Sequence, residues 1–220
     1  MAVQLRRTQF RTLSEAELAA WRDIPAAVAS DVQNRSHSLT GGIQALRPEW
    51  RICGQARTVA PTPGDNACVH LACSIARPGE VVVVAANGDT SVAMLGEMIT
   101  RQAVLRNLGG LVVDGAVRDV GAIRSFAMPV FARCAVPRGP HKDYGGIVDT
   151  PVSLGGVAVR PGDLILGDDD GVVVVPLDRA EALLPLAQAH MAKEQAWVEA
   201  LESGRTLVEV FGVAEPEVID

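Results

Sequence analysis

Two blocks of four consecutive valines, Val81–Val84 and Val172–Val175, restrict the fold of this chain more than any other feature of its sequence. β-Branched side chains favour extended backbone, and an unbroken apolar run suits a strand that is buried on both faces. The core must be largely aliphatic, because aromatic residues make up only 4% of a chain that is 48% hydrophobic. A length of 220 residues suits one large domain.

An alternation of strand and helix patterns surrounds the first valine block. It predicts strands at residues 51–60, 80–85, 111–113 and 129–135, and helices at 14–23, 25–35, 64–75, within 91–107 and at 120–126. Such βαβ order predicts a parallel sheet with helices against its faces. A polar loop is expected at 136–151, short antiparallel strands at 152–176, and a long helix from the capping pattern at Asp178–Glu181 to about Ser203. The sequence therefore predicts an α/β fold, a mixed sheet with βαβ units flanked by helices and with helices at both termini.

Charge and composition exclude several classes of partner. The net charge of −6 leaves no dense basic patch for a phosphate backbone, so we expect no nucleic-acid partner. No apolar run approaches the length of a membrane span or a signal peptide. The four cysteines form no CxxC pair and are expected to be reduced. We therefore expect a cytoplasmic protein without membrane contact.

Several common catalytic motifs are missing. The chain has no GxGxxG, no GK[ST] and no GxSxG sequence, and its four histidines have no zinc-ligand spacing. A Schiff base needs a desolvated lysine, but Lys142 and Lys193, the two lysines of the chain, both lie in charged segments. If the chain acts on a carbonyl compound, a metal ion is the expected electron sink.

Two segments follow predicted parallel strands, and such segments collect active-site groups in α/β proteins. The first runs from Asn87-Gly88-Asp89 to Gly96-Glu97, and the second is Asp114–Asp119. Structural readings are also open: Asp119 could be a helix N-cap, Arg118 a solvated charge, and Glu97 an ordinary helical residue. Spacing alone does not decide between them.

The two segments together read NGD…LGEMIT and VVDGAVRDVGAIR, with twenty residues between Glu97 and Arg118. This pattern resembles the signature of the RraA-like family, which includes the class II 4-hydroxy-4-methyl-2-oxoglutarate and 4-carboxy-4-hydroxy-2-oxoadipate aldolases. The resemblance continues through GDN at 64–66, PRGPHKD at 137–143 and PGDLILGDDDGVVVVP at 161–176, and so covers about residues 25–180. The first acidic position of the signature is often Asp. Here it is Glu97, which keeps the charge and adds one methylene.

The resemblance implies a single RraA-like domain and a role for each signature residue. Asp119 would bind Mg²⁺ or Mn²⁺, directly or through water, and Arg118 would bind the substrate and stabilise a pyruvate enolate. The backbone N–H groups of Gly96, Glu97, Met98 and Ile99 would bind the substrate carboxylate at a helix start. Glu97 would also orient the water that removes a proton from the 4-hydroxyl group of the substrate.

The implied activity is cleavage of a 4-hydroxy-2-oxo dicarboxylate to pyruvate and a second oxo acid, with oxaloacetate decarboxylation beside it. The family forms trimers or hexamers, so a homo-oligomer is expected. Arg138 or Lys142 could bind the distal carboxylate, unless both lie in a solvated loop. Asp168–Gly171 fits a hairpin turn, and Asp65 and Asn66 fit helix caps.

Two other functions stay open. Some relatives on this fold are named as regulators of ribonuclease activity that act by binding a protein. Another lyase, a tautomerase or a hydrolase of oxo acids could also use the same scaffold.

Overall fold

The computed structural model describes residues 1–40 and 42–219. Its strands in these ranges are β1 (Val3–Leu5), β2 (Gln44–Ala45), β3 (Ile52–Pro61), β4 (Val81–Leu95), β5 (Gly110–Val117), β6 (Val130–Ala135), β7 (Gly146–Val148), β8 (Val152–Leu154), β9 (Val157–Val159), β10 (Leu164–Asp168) and β11 (Gly171–Val175). Its helices are α1 (Glu15–Arg22), α2 (Ala26–Asp31), α3 (Ala67–Ile75), α4 (Glu97–Leu105), α5 (Val120–Ile123), α6 (Ala180–Glu202) and α7 (Leu207–Phe211).

A mixed sheet organises the molecule, as predicted. Seven of its strands follow the order β1-β7-β3-β4-β5-β6-β2, and the hairpin of β10 and β11 is attached to β3. The neighbours β3, β4, β5 and β6 are parallel, whereas β7, β10 and β2 pair antiparallel with this central part. The carboxyl ends of the central strands therefore meet at one edge of the sheet. Asp168 pairs with Gly171 at the β10–β11 turn, which confirms the predicted hairpin.

Both valine blocks are buried on two faces. Val82 and Val84 of β4 pack with residues of α3 and α4, whereas Val81 and Val83 face the layer that contains Ile165 of β10. All four of these β4 valines are completely buried. Burying one valine side chain contributes about 1.5–3 kcal/mol relative to leaving it exposed, so the block is a strong determinant of the central strand.

The strands β4 and β5 are longer than predicted. β4 continues through Asn87-Gly88-Asp89 to Leu95, and α4 begins only at Glu97, so the predicted end of this strand at residue 85 is wrong. Positive φ angles at Asn87 and Gly88 and a shift in strand register explain the turn-like sequence. Pairing resumes between Asp89 and Gly115, because β5 also continues to Val117, beyond its predicted end at residue 113. Cross-strand pairing overrides the local turn preference here.

Other boundaries also differ from the sequence prediction. α2 ends at Asp31 rather than near residue 35, since Asn34 and Arg35 have left-handed φ angles of 58° and 56°. The predicted loop at 136–151 contains β7, which pairs with β1 and β3. The strands β1 and β2 and helix α7 were not predicted at all.

The predicted helix caps have mixed outcomes. Ser14 and Glu17 form the predicted capping box at α1. Asp178 does not cap α6, because Arg179 occupies the cap position and makes no side-chain bond to the helix. Within residues 1–40 and 42–219, no helix combines the length and the apolar character needed to cross a bilayer.

Candidate active site at the ends of β4 and β5

Strand register brings the two halves of the signature together. Leu95 of β4 pairs with Val117 of β5, and the N–H group of Arg118 donates to the carbonyl oxygen of Leu95 over 3.0 Å. Gly96 and Glu97 therefore leave their strand beside Arg118 and Asp119. The twenty residues between Glu97 and Arg118 form the rest of α4, the connection that follows it and the strand β5. Because β5 is parallel to β4, this stretch ends at Arg118, beside the carboxyl end of β4.

The Asp119 side chain points towards the start of α4 and not towards α5, the helix that directly follows it in sequence. Its backbone is left-handed, with φ 58° and ψ 35°, and its side chain makes no capping bond to α5. Instead, Oδ2 accepts a hydrogen bond of 3.1 Å from the N–H group of Glu97. A carboxylate at a helix N-terminus is stabilised by the positive end of the helix dipole. Asp119 thus occupies the N-cap position of α5, as the structural reading predicted, but its side chain does not cap that helix.

Arg118 is held between two glycines. A Cβ atom at Gly96 would lie 2.8 Å from Cγ of Arg118, and one at Gly139 would lie 2.5 Å from its Nη1. Its Nε is 3.5 Å from Oδ2 of Asp119, and the side chains of Arg118 and Asp119 are 44% and 43% exposed. The guanidinium is thus confined by backbone on two sides but open to solvent, an arrangement that suits a ligand-binding group better than a freely moving surface charge.

The start of α4 offers fewer free donors than the sequence predicted. The N–H group of Glu97 is engaged by Asp119, whereas those of Met98 and Ile99 lie in the first helical turn and have no acceptor within the helix. The carboxylate of Glu97 forms an ion pair of 2.7 Å with Arg101, one turn along α4. The structure thus brings the backbone of Glu97 to Asp119 and directs its carboxylate to Arg101.

A cleft of about 550 Å³, counting its open mouth, lies in front of these groups. It is concave and combines apolar walls with a few polar groups, as small-molecule sites commonly do. Residues from β4, α3, α4, the segment between β5 and α5, and the loop after β6 form its walls: Asn66, His70, Leu95, Gly96, Met98, Ile99, Arg118, Asp119, Pro140 and Lys142. All of the predicted site residues except Glu97 therefore line one cleft.

Asn66 and His70 of this cleft were missed as site residues by the sequence analysis. Asn66 occupies the cap position of α3, but its side chain makes no capping bond, so the predicted cap is wrong. Its Nδ2 donates to the carbonyl oxygen of Met94 over 2.8 Å, and its Oδ1 is buried without a partner. His70 Nε2 is also buried without a partner in the described part of the chain. Leaving such a group unpaired costs roughly 1–3 kcal/mol.

His70 is predisposed to be neutral. Burial lowers the pKa of His70, the positive charge of Lys142 lowers it further, and the nearby Asp65 carboxylate opposes both effects. Two sequence signals could have indicated these residues: Asn66 belongs to the GDN motif at 64–66, and the four-residue spacing of Asn66 and His70 places both side chains on one face of α3.

Asp65 fixes the loop that forms one wall of the cleft. Its Oδ2 accepts hydrogen bonds from the N–H groups of Asp143 (2.6 Å) and Tyr144 (3.0 Å), and its Oδ1 accepts from Ala67 at the start of α3. The bond to Ala67 confirms the predicted cap. Burial by itself would raise the pKa of Asp65, but the three N–H groups bring it below its ordinary value.

The two candidate cations of this loop have different positions. Lys142 lines the cleft and makes no ion pair with any described residue, while Arg138 does not line it. Arg138 lies beside β4 instead, where its carbonyl oxygen accepts a hydrogen bond of 2.9 Å from the N–H group of Ala93. The pKa of Asp89 is lowered by hydrogen bonds from Ser91 and, to a smaller extent, by the charge of Arg138. Of these two loop residues, Lys142 is therefore the one whose charge is available to a ligand in the cleft.

Asp114, from the same signature segment, has a structural role. Its buried carboxylate forms an ion pair with Arg133 of β6 and accepts a hydrogen bond of 2.9 Å from the N–H group of Gly155. It joins β5, β6 and the turn between β8 and β9, and does not line the cleft.

The donor set at Asp119 fits a hard divalent cation. Oδ2 of Asp119 accepts a hydrogen bond from the N–H group of Glu97, and the Asp119 side chain is exposed enough to bind an ion. Mg²⁺ and Mn²⁺ accept one protein carboxylate and complete their shells with water and substrate oxygens. The described residues contain one cluster of three potential ligands, Asp31, His190 and Glu194, but it lies on α2 and α6, which do not line the cleft.

The chain is similar to known proteins in both sequence and structure. A family model described as RraA-like, Aldolase/RraA, matches residues 13–174. A Halalkalibacterium halodurans protein, provisionally named 4-hydroxy-4-methyl-2-oxoglutarate aldolase, is 35% identical over 202 residues, which are 90% of this chain and 96% of its own length. A Thermus thermophilus protein named 4-hydroxy-4-methyl-2-oxoglutarate aldolase is 32% identical over 147 residues, 67% of this chain and 89% of its own.

Among solved structures, Streptomyces coelicolor RraAS2 superposes with a TM-score of 0.76 at 28% identity. The match covers 86% of this chain and 99% of that one, which is described as an unusual member of the RNase ES inhibitor RraA protein family. Proteins similar to this chain thus include some that are named as aldolases and one that is placed among ribonuclease inhibitors.

Proposed function

The chain belongs to the RraA-like family, and from that premise we propose that it is a divalent-metal-dependent lyase that cleaves a 4-hydroxy-2-oxo dicarboxylate to pyruvate and a second oxo acid. The observation that carries the proposal is the convergence of Gly96, Arg118 and Asp119 at the start of α4, inside an open cleft. The names of the two aldolase relatives support the same class of reaction.

The start of α4 is suited to the carboxylate of the pyruvoyl part. The N–H groups of Met98 and Ile99 can donate to a carboxylate, and the helix dipole adds favourable charge. Gly96 has no side chain, so a ligand can approach the backbone closely.

Arg118 is suited to the charge that develops during cleavage. Breaking the C3–C4 bond leaves an electron pair that is delocalised onto the keto oxygen of the pyruvoyl part. A guanidinium already held in place stabilises this charge without reorganising, which is the most effective form of electrostatic catalysis. Its confinement by Gly96 and Gly139 provides this preorganisation.

Asp119 would hold Mg²⁺ or Mn²⁺, which when bound supplies Lewis-acid polarisation of the keto group. Lys142, the lysine that lines the cleft, is exposed, whereas a Schiff-base lysine is normally desolvated. This exposure favours the metal-dependent class of aldolase over the imine class.

Cleavage also needs a base for the proton of the 4-hydroxyl group. We assign to Glu97 the orientation of the water molecule that accepts it, because Glu97 directly follows Gly96 and is exposed enough to reach solvent. Its ion pair with Arg101 is exposed and therefore weak, so the carboxylate is free to turn. Oxaloacetate should lose CO₂ at the same site, since that reaction produces the same enolate.

We further propose that the chain forms a homo-oligomer, a trimer or a hexamer. The end of α6 and helix α7 carry exposed apolar side chains, which in a monomer would remain in water: Val198, Leu201, Leu207, Val208 and Phe211. Contact with further copies would bury them, and light scattering of the purified chain tests the assembly.

The decisive experiment measures pyruvate release by the purified chain with Mg²⁺, from 4-hydroxy-4-methyl-2-oxoglutarate and from oxaloacetate. Arg118→Ala should abolish both activities, while Arg22→Ala, at the second Arg-Asp sequence of the chain, should leave both unchanged. A wild-type chain that is inactive on both substrates would contradict the proposal. Binding to a ribonuclease in that case would favour the inhibitor role described for relatives of the Streptomyces protein.

A further inference from the structure

Asn66 and His70 are the cleft residues to which the proposed mechanism gives no role. They lie one helical turn apart on α3, and both line the cleft opposite the start of α4. The Asn66 side chain is almost completely buried, with 4% of the residue exposed. Each residue has one buried polar atom, Asn66 Oδ1 and His70 Nε2, without a hydrogen-bond partner in the described part of the chain.

Buried polar atoms without partners are rare in native proteins, and each requires an explanation. Two of the five such side-chain atoms found in the described residues belong to this one cleft. Rotating the Asn66 amide by 180° would not satisfy its oxygen atom, because Nδ2 would then no longer donate to the carbonyl oxygen of Met94. The pair therefore points to atoms of a ligand.

The chemistry of the pair restricts that ligand. Asn66 Oδ1 can only accept a hydrogen bond, so its partner must carry a donor, and neither a carboxylate nor a keto oxygen has one. An ammonium donor is disfavoured, because Lys142 and Arg118 make this cleft cationic. A hydroxyl group meets both requirements, since it donates one bond and accepts another.

We propose that Asn66 and His70 form the subsite that binds the C4 hydroxyl group of the substrate before cleavage. The hydroxyl donates to Asn66 Oδ1 and accepts from Nε2–H of His70, and it turns its proton from Asn66 to the water that Glu97 orients as the C3–C4 bond breaks. The inference rests on the proposed function, because only a 4-hydroxy-2-oxo substrate carries this hydroxyl group. During cleavage C4 becomes the carbonyl carbon of the second oxo acid. A neutral imidazole carries its single proton on Nε2 when that atom acts as donor, and the surroundings of His70 favour the neutral form by lowering its pKa.

The subsite would make the chain selective for hydroxylated substrates. A site built to hydrogen-bond a hydroxyl group discriminates against an analogue without it, because its polar atoms then stay unpaired. Oxaloacetate has no hydroxyl group at the corresponding position. Loss of Asn66 or His70 should therefore affect the two proposed reactions unequally.

The test compares kcat/KM for 4-hydroxy-4-methyl-2-oxoglutarate and for oxaloacetate in His70→Leu, His70→Gln and Asn66→Ala. We expect His70→Leu and Asn66→Ala to lower the first value by about 100-fold and the second by less than about 3-fold. His70→Gln, which restores an N–H donor, should recover most of the loss. Ser74→Ala, an exposed position one turn further along α3, is the matched control.

Inhibition by oxalate, an analogue of the pyruvoyl part, provides the check on the rest of the cleft. Its inhibition constant should be unchanged in His70→Leu if the pyruvoyl side is intact. Equal losses for both substrates, or none for either, would overturn the inference while leaving the proposed function in place. A wild-type chain without activity on either substrate would instead contradict the proposed function, and the inference with it.

Discussion

A Cβ atom at Gly96 would lie 2.5 Å from Oδ2 of Asp119, closer than real side-chain contacts allow. The backbone of Gly96 is extended, with φ −157°, so this glycine is required for space and not for a special backbone conformation. The close approach lets the Glu97 N–H group bond to Asp119 and brings Arg118 against the start of α4. The arrangement of the signature residues thus depends on one missing side chain.

Gly96→Ala should therefore displace Asp119 or Arg118 and lower kcat/KM by roughly 100-fold, the loss that a displacement of about 1 Å can cause in an active site. The matched control is Gly121→Ala in α5, where a Cβ atom would meet no other atom within 4 Å. That variant should be fully active and as stable as the wild type or more so, by up to about 1 kcal/mol. Steady-state rates and urea unfolding of both variants test the prediction, and a fully active Gly96→Ala would contradict it.

Removal of the divalent ion should abolish pyruvate release, and Mg²⁺ or Mn²⁺ should restore it. Asp119→Ala should bind Mn²⁺ more weakly, measured directly by electron paramagnetic resonance, and should lose turnover. Its free energy of unfolding should fall by only about 0.5–2 kcal/mol, because the N–H group of Glu97 at the start of α4 loses its acceptor, so the variant should stay folded. Asp143→Ala, an exposed carboxylate of the cleft loop, is the control. Full activity after dialysis against a chelator would rule out the metal mechanism.

Arg118→Lys should be nearly as damaging as Arg118→Ala. The planar guanidinium fits between the backbones of Gly96 and Gly139, and a flexible ammonium cannot hold the same position. The loss should appear mainly in kcat, since the interaction is strongest in the transition state. Arg22→Lys serves as the control, and an unchanged kcat in Arg118→Lys would show that Arg118 acts only as a surface charge.

Glu97→Gln should separate the two proposed reactions. Aldol cleavage needs a base and should fall by roughly 10²–10⁴-fold, whereas oxaloacetate decarboxylation needs no proton removal and should fall much less. Arg101→Ala removes the ion-pair partner of Glu97 without removing the carboxylate, so it should retain aldolase activity. Both rates are measured at saturating Mg²⁺ with pyruvate as the common product. Equal losses in Glu97→Gln would mean that Glu97 serves the metal site or the fold.

The Asp65 carboxylate should stabilise the cleft loop in a pH-dependent manner. Its pKa in the folded protein is below its ordinary value of 3.8, so its contribution is fully present above that value and is lost as the pH falls through the lower, folded pKa. Asp65→Asn should lower the free energy of unfolding by roughly 1.5–3 kcal/mol at neutral pH. Urea unfolding at several pH values measures the difference between the variant and the wild type, which should shrink below about pH 4. A difference that does not vary with pH would refute the assignment.

The sequence by itself determined the features that depend on short-range pattern. The valine block at 81–84 predicted the buried central strand, and the Ser14–Glu17 spacing predicted the capping box of α1. The glutamate, the twenty-residue gap and the Arg118-Asp119 pair identified the family and the strand ends where the candidate site lies. These inferences succeeded because each rests on residues that are neighbours in sequence or that recur at a fixed spacing.

Only the tertiary structure decided which distant groups meet. The pairing of Leu95 with Val117 extended β4 and β5 through residues with turn-like sequence, because hydrogen bonds between strands outweigh the local preferences of Asn87 and Gly88. The bonds from Asp65 to the loop, which join residues 78 and 79 positions apart in the chain, bring the loop that carries Lys142 against α3. The unpaired atoms of Asn66 and His70 could not be foreseen either, since whether a polar atom is satisfied depends on every element packed around it.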